Sequence, residues 1–282
     1  MSIIFFIFAV KIFEHMKLND DKYYTPSHVV DRCLGILTAC VDMGAVTEVV
    51  EPSCGDGAFM HSDNVRVDIG IDIRPETDDP RVIEADYLSY EMPYKKGRLT
   101  LGNPPYGSRM NLAQKFFKKA VSCGDYVAMI LPISQLWNTQ SLYEFDLIES
   151  IDLGEETYSG RKLHCCFNVY RRPEGGGTNE RPKTNLKRVN FVRNDSNGYD
   201  DAPFDVRVCL WGDGSCGKIL SDGERYSAEY KIKVDDNLRG REKVVDFIRT
   251  HDWRSEVRCI AMKKLQKFHF VNAIVREFPW ID

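Results

Sequence analysis

The 282 residues are 43% hydrophobic and 28% charged, with 38 Lys and Arg against 42 Asp and Glu, a formal net charge of −4. That balance supplies apolar residues for one substantial core or two modest ones, and it excludes intrinsic disorder, collagen and coiled coil. It also argues against a chain that coats nucleic acid by bulk electrostatics. The charge is unevenly spread, however: residues 1–170 hold 16 Lys and Arg against 24 Asp and Glu, and residues 171–282 hold 22 against 18. A net of −8 followed by +4 points to two jobs, with the later part the better partner for a polyanion.

The chain opens on an apolar run, Ile3 to Val10, shorter than the roughly 20 residues needed to span a bilayer. No basic segment precedes it and no small-residue cleavage site follows, so it makes a poor signal peptide. Met16 then begins a polar stretch that reads like an ordinary start, and residues 1–16 are expected to be an extension. The nine cysteines include no C-x-x-C pair. They read as reduced, mostly buried thiols of a cytoplasmic protein, with no metal site.

Pro26 starts a helical pattern (Val29, Val30, Cys33, Leu34, Leu37) that stops near Gly44. Thr47–Glu51 reads as a first strand, Val65–Ile73 as a second, Arg81–Ala85 as a third and Leu99–Leu101 as a fourth. Leu112–Val121 is amphipathic and helical, and Tyr126–Leu131 is a fully apolar strand. Leu142–Ile148 is expected to be helix and Cys166–Tyr170 strand. Phe59 to Val65 leaves room for only a very short first crossover helix. Strands separated by crossovers imply a parallel-rich sheet, which binds ligands at the carboxyl ends of its strands. Pro173 to Asn185 (PEGGGTNERPKTN) is the clearest linker in the chain. Beyond it come expected strands at Val189–Val192, Asp205–Leu210 and Ala228–Val234, then helices around Val244–Ile248 and Glu256–Gln266.

Three segments carry chemistry. Glu51-Pro-Ser-Cys-Gly-Asp-Gly-Ala-Phe59 follows the first strand, and Gly55 and Gly57 allow a sharp turn with close approach to a ligand. A plain strand-to-helix turn would look the same. Asp72 and Asp86 stand at the ends of the next two strands, where a carboxylate can grip a ribose diol or accept from an amine. Asn103-Pro104-Pro105-Tyr106 ends the fourth strand. Its prolines fix the backbone, so the Asn amide oxygen and a proline carbonyl can face one exocyclic amine, while Tyr106 offers a ring for a planar base.

Taken in this order, Tyr24-Thr25-Pro26 with Val29-Val30, the Glu51–Phe59 loop and Asn103–Tyr106 resemble the S-adenosylmethionine-dependent N6-adenine DNA methyltransferases of the gamma arrangement, over residues 20–172. The resemblance implies a Rossmann-like class I methyltransferase fold, a mostly parallel sheet with helices on both faces, in residues 17–172. It also implies a 173–185 linker and a small α+β recognition domain for duplex DNA in residues 186–282. S-adenosylmethionine would be held by Thr25, Pro26, Glu51, Pro52, Gly55 and Gly57, with Asp72 on the ribose hydroxyls, Asp86 on the cofactor's adenine amine and Tyr87 packing beside it. Asn103 and Pro104 would hold the target amine, with Pro105 in the same turn, and Tyr106 would stack on the flipped base. A second stacking aromatic is expected in Phe167, with His164 and then Tyr158 as alternatives. The implied setting is a bacterial or phage-infected cell, with a companion restriction nuclease as a further partner and no membrane. A ribosomal RNA adenine, a protein glutamine, or no reaction at all in a silent DNA-binding module are the competing readings.

In the last part, Gly212-Asp-Gly-Ser-Cys-Gly-Lys218 matches the phosphate-loop spacing, but Ile219 replaces the metal-binding hydroxyl residue. The loop reads as a nucleic-acid backbone contact beside Trp211 or as a hairpin connection. Arg239, Arg241, Lys243, Lys263, Lys264 and Lys267 are candidate phosphate contacts.

Overall fold

The computed structural model describes residues 23–194, 202–212, 214–224, 226, 228–257 and 264–282, so the N-terminal extension lies outside the described residues. The chain divides into two compact units between Glu180 and Arg181.

In the first unit, helix α1 (Ser27–Cys40) buries Val29, Val30, Cys33, Leu34 and Leu37, a stripe at helical spacing. It begins at Pro26, whose carbonyl accepts the Val29 and Val30 N–H groups. Strands β1 (Glu48–Pro52), β2 (Ile69–Asp72), β3 (Val82–Glu84) and β4 (Arg98–Gly102) follow. Helix α2 (Asn111–Cys123), then β5 (Tyr126–Pro132), β6 (Asp146–Tyr158) and β7 (Arg161–Arg171), complete the sheet. The strand order is β3-β2-β1-β4-β5-β7-β6. All pairs are parallel except β5 with β7 and β6 with β7. This Rossmann-like arrangement, with an antiparallel seventh strand set between the fifth and sixth, is that of class I methyltransferases.

The two helices cover opposite faces, as β7 makes plain. Phe167 and Val169 share the cluster containing Val30, Cys33 and Leu37 of α1. Tyr170, one residue on, meets Phe117 of α2 edge-on at 4.8 Å between centroids. Alternation along a strand sends neighbouring side chains to opposite faces. Arg32 clamps α1 to β6 by donating to the Leu153 and Asp152 carbonyls, both at 2.9 Å.

The crossover from β1 to β2 holds turns and no helix at all. Arg81 does the work a helix would have done: it donates to the Val67 carbonyl at 2.7 Å and the Met60 carbonyl at 3.0 Å while pairing with Asp79. The buried crossover carbonyls are thereby satisfied by a side chain.

Residues 142–148 correct the expected helix. Their second half opens β6, a 13-residue strand joined to β7 by a tight hairpin at Ser159 (φ +49°) and Gly160 (φ +79°). Register shifts at Leu147/Glu149 and Asp152/Gly154 break the strict alternation of β6. Leu142 and Phe145, both buried, happen to stand at helical spacing just before it.

The second unit is a three-stranded antiparallel sheet, β8 (Val189–Asn194), β9 (Val206–Cys209) and β10 (Glu229–Val234), in the order β8-β10-β9. Helices α3 (Arg241–Thr250) and α4 (Lys267–Glu277) supply the rest of a core centred on Trp253, Phe270, Ile232 and Ile248. The helix expected at Glu256–Gln266 is displaced: residues 253–256 are turn, 258–263 lie outside the described residues, and α4 starts only after Gln266. Gln266 and His269 form a reciprocal capping box there.

The described residues of the glycine-rich 212–218 segment form a connection within this sheet. Gly217 donates to the Cys209 carbonyl, Ile219 pairs with Val208, and the Lys218 ammonium is held by Glu224 at 2.5 Å. Among the described residues, no helix N-terminus follows it to hold a phosphate. Of the basic candidates, Arg239, Lys243 and Lys264 are exposed, and Lys263 lies outside the described residues. Arg241 is engaged by Asp205 and Asp236, and Lys267 reaches Asn185 Oδ1 at 2.5 Å.

Candidate functional site

Between β1 and β4 the sheet reverses its direction of growth, because the chain passes outward through β2 and β3 before returning. Ligands in open α/β sheets bind at such a switch point, beyond the carboxyl ends of the strands. Here the two turns that leave β1 and β4 lie side by side, with the Ser53 hydroxyl donating to the Asn103 carbonyl at 3.4 Å. Between them and the ends of β2 and β3 is a cavity of about 670 Å³, within the range of roughly 300–1,000 Å³ typical of small-molecule sites.

Thr25, Glu51, Pro52, Gly55, Asp72, Asp86, Tyr87, Asn103 and Pro105 all line this cavity. Sequence positions spread over 80 residues thus converge on one wall. Gly55 takes φ +54° and donates its N–H to Asp72 Oδ2 at 2.8 Å, while Asp72 Oδ1 accepts the Arg74 N–H at 2.8 Å. Each carboxylate oxygen keeps a second lone pair. Asp86 caps its own turn through the Leu88 N–H, at 2.9 Å. Tyr87 is buried, its ring 5.3 Å from that of Phe116, and both rings contribute to the wall.

Glu51 is the most unusual group in the site. It is 2% exposed, and its Oε2 has no hydrogen-bond partner among the described residues. Burial holds its carboxyl well above the usual carboxylate range, and the Asp56 and Asp72 charges push in the same direction. Its carboxyl is engaged by the Met60 backbone, which leaves Oε2 as an unfilled acceptor at the cavity.

Asn103 is gripped at both ends of its amide. Its Nδ2 donates to Thr25 Oγ1 at 3.2 Å, and its Oδ1 accepts the Tyr106 hydroxyl at 3.1 Å. Tyr106 stands outside the cavity wall; its ring stacks on Tyr23 with centroids 6.2 Å apart and planes 26° from parallel. Arg161 lies 5.9 Å over the Tyr23 ring.

Several expected residues stand elsewhere. Pro26 is the start of α1 and Pro104 is buried, and neither forms part of the wall. Gly57 (φ +83°) is also outside it; a Cβ there would come 2.8 Å from the His61 ring, so its role is in the turn itself. Phe167 is corrected: it is fully buried in the β7 core against α1 and has no face to offer a base. Tyr158, 1% exposed in the same cluster, fails likewise, and His164 is paired with Asp152 at 2.7 Å.

Tyr23 and Phe116, which the sequence reading did not single out, are also on the wall, as is Tyr24, read there only as part of the N-terminal motif. Tyr24 donates from its hydroxyl to Glu76 and from its N–H to Ser159 Oγ at 2.8 Å. The adjacent tyrosines before Thr25 were the available signal. Phe116 was hidden in a helix pattern that reads as core.

No family model and no curated protein matches the chain. Solved structures similar to it include a candidate RNA methyltransferase from Pyrococcus horikoshii, at 14% identity and TM-score 0.42 over 54% of this chain and 86% of that one. Another is the magnesium protoporphyrin IX methyltransferase of Synechocystis PCC 6803 with bound S-adenosylmethionine, at 13% identity and TM-score 0.40 over 52% and 79%. A third is the 23S rRNA methyltransferase ErmE, at 14% identity and TM-score 0.38 over 54% and 70%. These likenesses are remote, and the fold assignment rests on the chain's own strand order.

Proposed function

We propose that the first unit binds S-adenosylmethionine in the switch-point cavity and transfers its methyl group to the N6 amine of an adenine in DNA. The observation that carries this reading is Asn103, at the head of an Asn-Pro-Pro-Tyr turn, in one cavity with Glu51, Asp72 and Asp86. The residues present fit the cofactor. Asp72 keeps lone pairs for a ribose diol, Asp86 offers a carboxylate to an exocyclic amine, and Tyr87 with Phe116 gives an apolar wall for a purine. The unpartnered Oε2 of Glu51 suits the ammonium group of the methionine end. When bound, S-adenosylmethionine supplies a methyl group on a positively charged sulfur, which an amine can displace.

The protein's share of the chemistry is orientation. An adenine amine is a poor nucleophile because its lone pair is delocalised into the ring. Acceptance of its two hydrogens by Asn103 Oδ1 and the Pro104 carbonyl favours a pyramidal nitrogen whose lone pair is free. Oδ1 has two lone pairs, and the Tyr106 hydroxyl uses one. The base must leave its stack, at a cost of a few kcal/mol, which stacking against Tyr106 partly offsets. Tyr23, whose ring stacks on Tyr106 with planes 26° from parallel, takes the part that the sequence reading gave to Phe167. The net +4 of residues 171–282, with Arg239, Lys243 and Lys264 exposed, supports a polyanion partner for the second unit.

The test is transfer of labelled methyl groups by the full chain to duplex DNA, ribosomal RNA and protein extracts. Transfer to adenine N6 in DNA is expected, and Asn103→Ala should abolish it while cofactor binding persists in calorimetry. Transfer to RNA or protein alone would overturn the DNA reading, and failure to bind S-adenosylmethionine would overturn the whole proposal.

A further inference from the structure

An asparagine in a methyl-transfer site has a problem of orientation that its backbone cannot solve. Rotation by half a turn about the last side-chain bond exchanges an acceptor for a donor in nearly the same place. With the oxygen forward, the group facing a substrate amine accepts; with the nitrogen forward, two donors oppose each other. Some other residue has to engage one end of the amide and leave the correct end free.

We propose that Thr25 is this positioning residue: its hydroxyl accepts from Asn103 Nδ2 and thereby holds Oδ1 toward the substrate amine. The inference rests on the methyltransferase reading and deepens it. Thr25 Oγ1 stands 3.2 Å from Asn103 Nδ2, and the two residues are 78 positions apart in sequence. Thr25 is 9% exposed and lies on the cavity wall, so bulk water competes weakly for the bond. Its position is set by rigid structure, because the next residue, Pro26, opens α1 with its carbonyl on the Val29 and Val30 N–H groups. The Tyr106 hydroxyl occupies Asn103 Oδ1 at 3.1 Å, a donor on the oxygen just where Thr25 presents an acceptor to the nitrogen. In the observed arrangement both ends of the amide are engaged, with Nδ2 toward Thr25 and Oδ1 toward Tyr106. A threonine hydroxyl can accept this bond and still donate its own proton elsewhere, whereas valine, of nearly the same shape, can do neither.

The experiment compares wild type, Thr25→Val and Thr25→Ser in the full chain, with thermal melts to establish that each is folded. Thr25→Val should lower kcat by about tenfold to a hundredfold, the scale on which misplacement of a reacting group acts. S-adenosylmethionine affinity, measured by calorimetry, separates loss of the bond to Asn103 from loss of Thr25's own share of the cavity wall, so turnover at saturating cofactor is the quantity compared. Thr25→Ser keeps the hydroxyl and should restore turnover. A second readout needs no catalysis. With 15N-asparagine labelling, the Asn103 side-chain amide signal, identified by its disappearance in Asn103→Ala, should shift and exchange faster with solvent in Thr25→Val but not in Thr25→Ser.

Wild-type turnover in Thr25→Val would overturn the proposal. So would a loss of cofactor affinity in step with turnover in both variants. A wild type that transfers nothing overturns the methyltransferase reading, whereas an amide signal unmoved by Thr25→Val overturns the Thr25 contact whatever the wild type transfers.

Discussion

The Asp72 carboxylate accepts the Gly55 N–H at 2.8 Å, so the acid that ends β2 holds the glycine turn that leaves β1. Its other oxygen accepts the Arg74 N–H. Asp72 thus braces the site before it binds anything, and its two roles can be separated. Asp72→Ala should cost about 1–3 kcal/mol of stability, the scale for stranding buried donors. On the proposed function it should also weaken S-adenosylmethionine binding at least about tenfold, because the turn would lose its support and the ribose diol its proposed acceptor. Denaturant melts and calorimetry read the two effects. Asp72→Asn keeps one acceptor oxygen and should lose less of both.

Glu51 gives the pH dependence. Its carboxyl is held well above the usual range by burial, so the folded state binds a proton that the unfolded state releases. Stability then follows the proton balance: it is complete below the unfolded carboxylate range and falls as pH rises from there toward the raised folded value. The melting temperature of the ligand-free protein should therefore decline across this window, and Glu51→Gln, neutral throughout, should flatten the decline. Equal slopes in wild type and Glu51→Gln would remove Glu51 as the cause.

The sequence made the parallel sheet legible because its strands and crossovers differ sharply in period, and the turns after β1 and β4 because glycine and proline restrict the backbone. The same signals fail where local and tertiary demands diverge. Leu142–Ile148 carries helical spacing, yet pairing with β7 draws its second half into β6, and the register shifts there erase the alternation that marks a strand. Phe167 was attractive as an aromatic near the catalytic strands. Only packing against α1 shows that it belongs to the core. The Thr25–Asn103 bond, spanning 78 positions, has no local signature at all.

The stack of Tyr23 on Tyr106, with centroids 6.2 Å apart, predicts a substrate effect distinct from a cofactor effect. Stacking on an aromatic is worth about 1–3 kcal/mol per base. If the proposed nucleic-acid substrate stacks here, Tyr23→Ala should raise KM for it about fivefold to a hundredfold, and Tyr23→Phe should restore it. S-adenosylmethionine binding should change far less, although Tyr23 reaches the cavity edge. A parallel loss of cofactor affinity in Tyr23→Ala would mean that the ring serves the cavity and not the base.

In the second unit, Arg207 and Glu229 form a buried pair on adjacent strands, with guanidinium contacts of 2.8 and 3.0 Å and side chains 5% and 0% exposed. Arg207 also donates to the Glu224 carbonyl at 2.6 Å, so the pair fixes the strand β9 to the turn before β10. Removing one member leaves an uncompensated charge in the interior. Arg207→Met should destabilise this unit by about 3–5 kcal/mol. The double variant Arg207→Met with Glu229→Met removes both charges, and it should recover much of the loss because apolar replacements of a buried pair are often neutral. Chemical denaturation of the three variants measures the coupling directly. If the double variant is as unstable as the sum of the two single changes, the charges contribute separately and the pair is not the unit of stability.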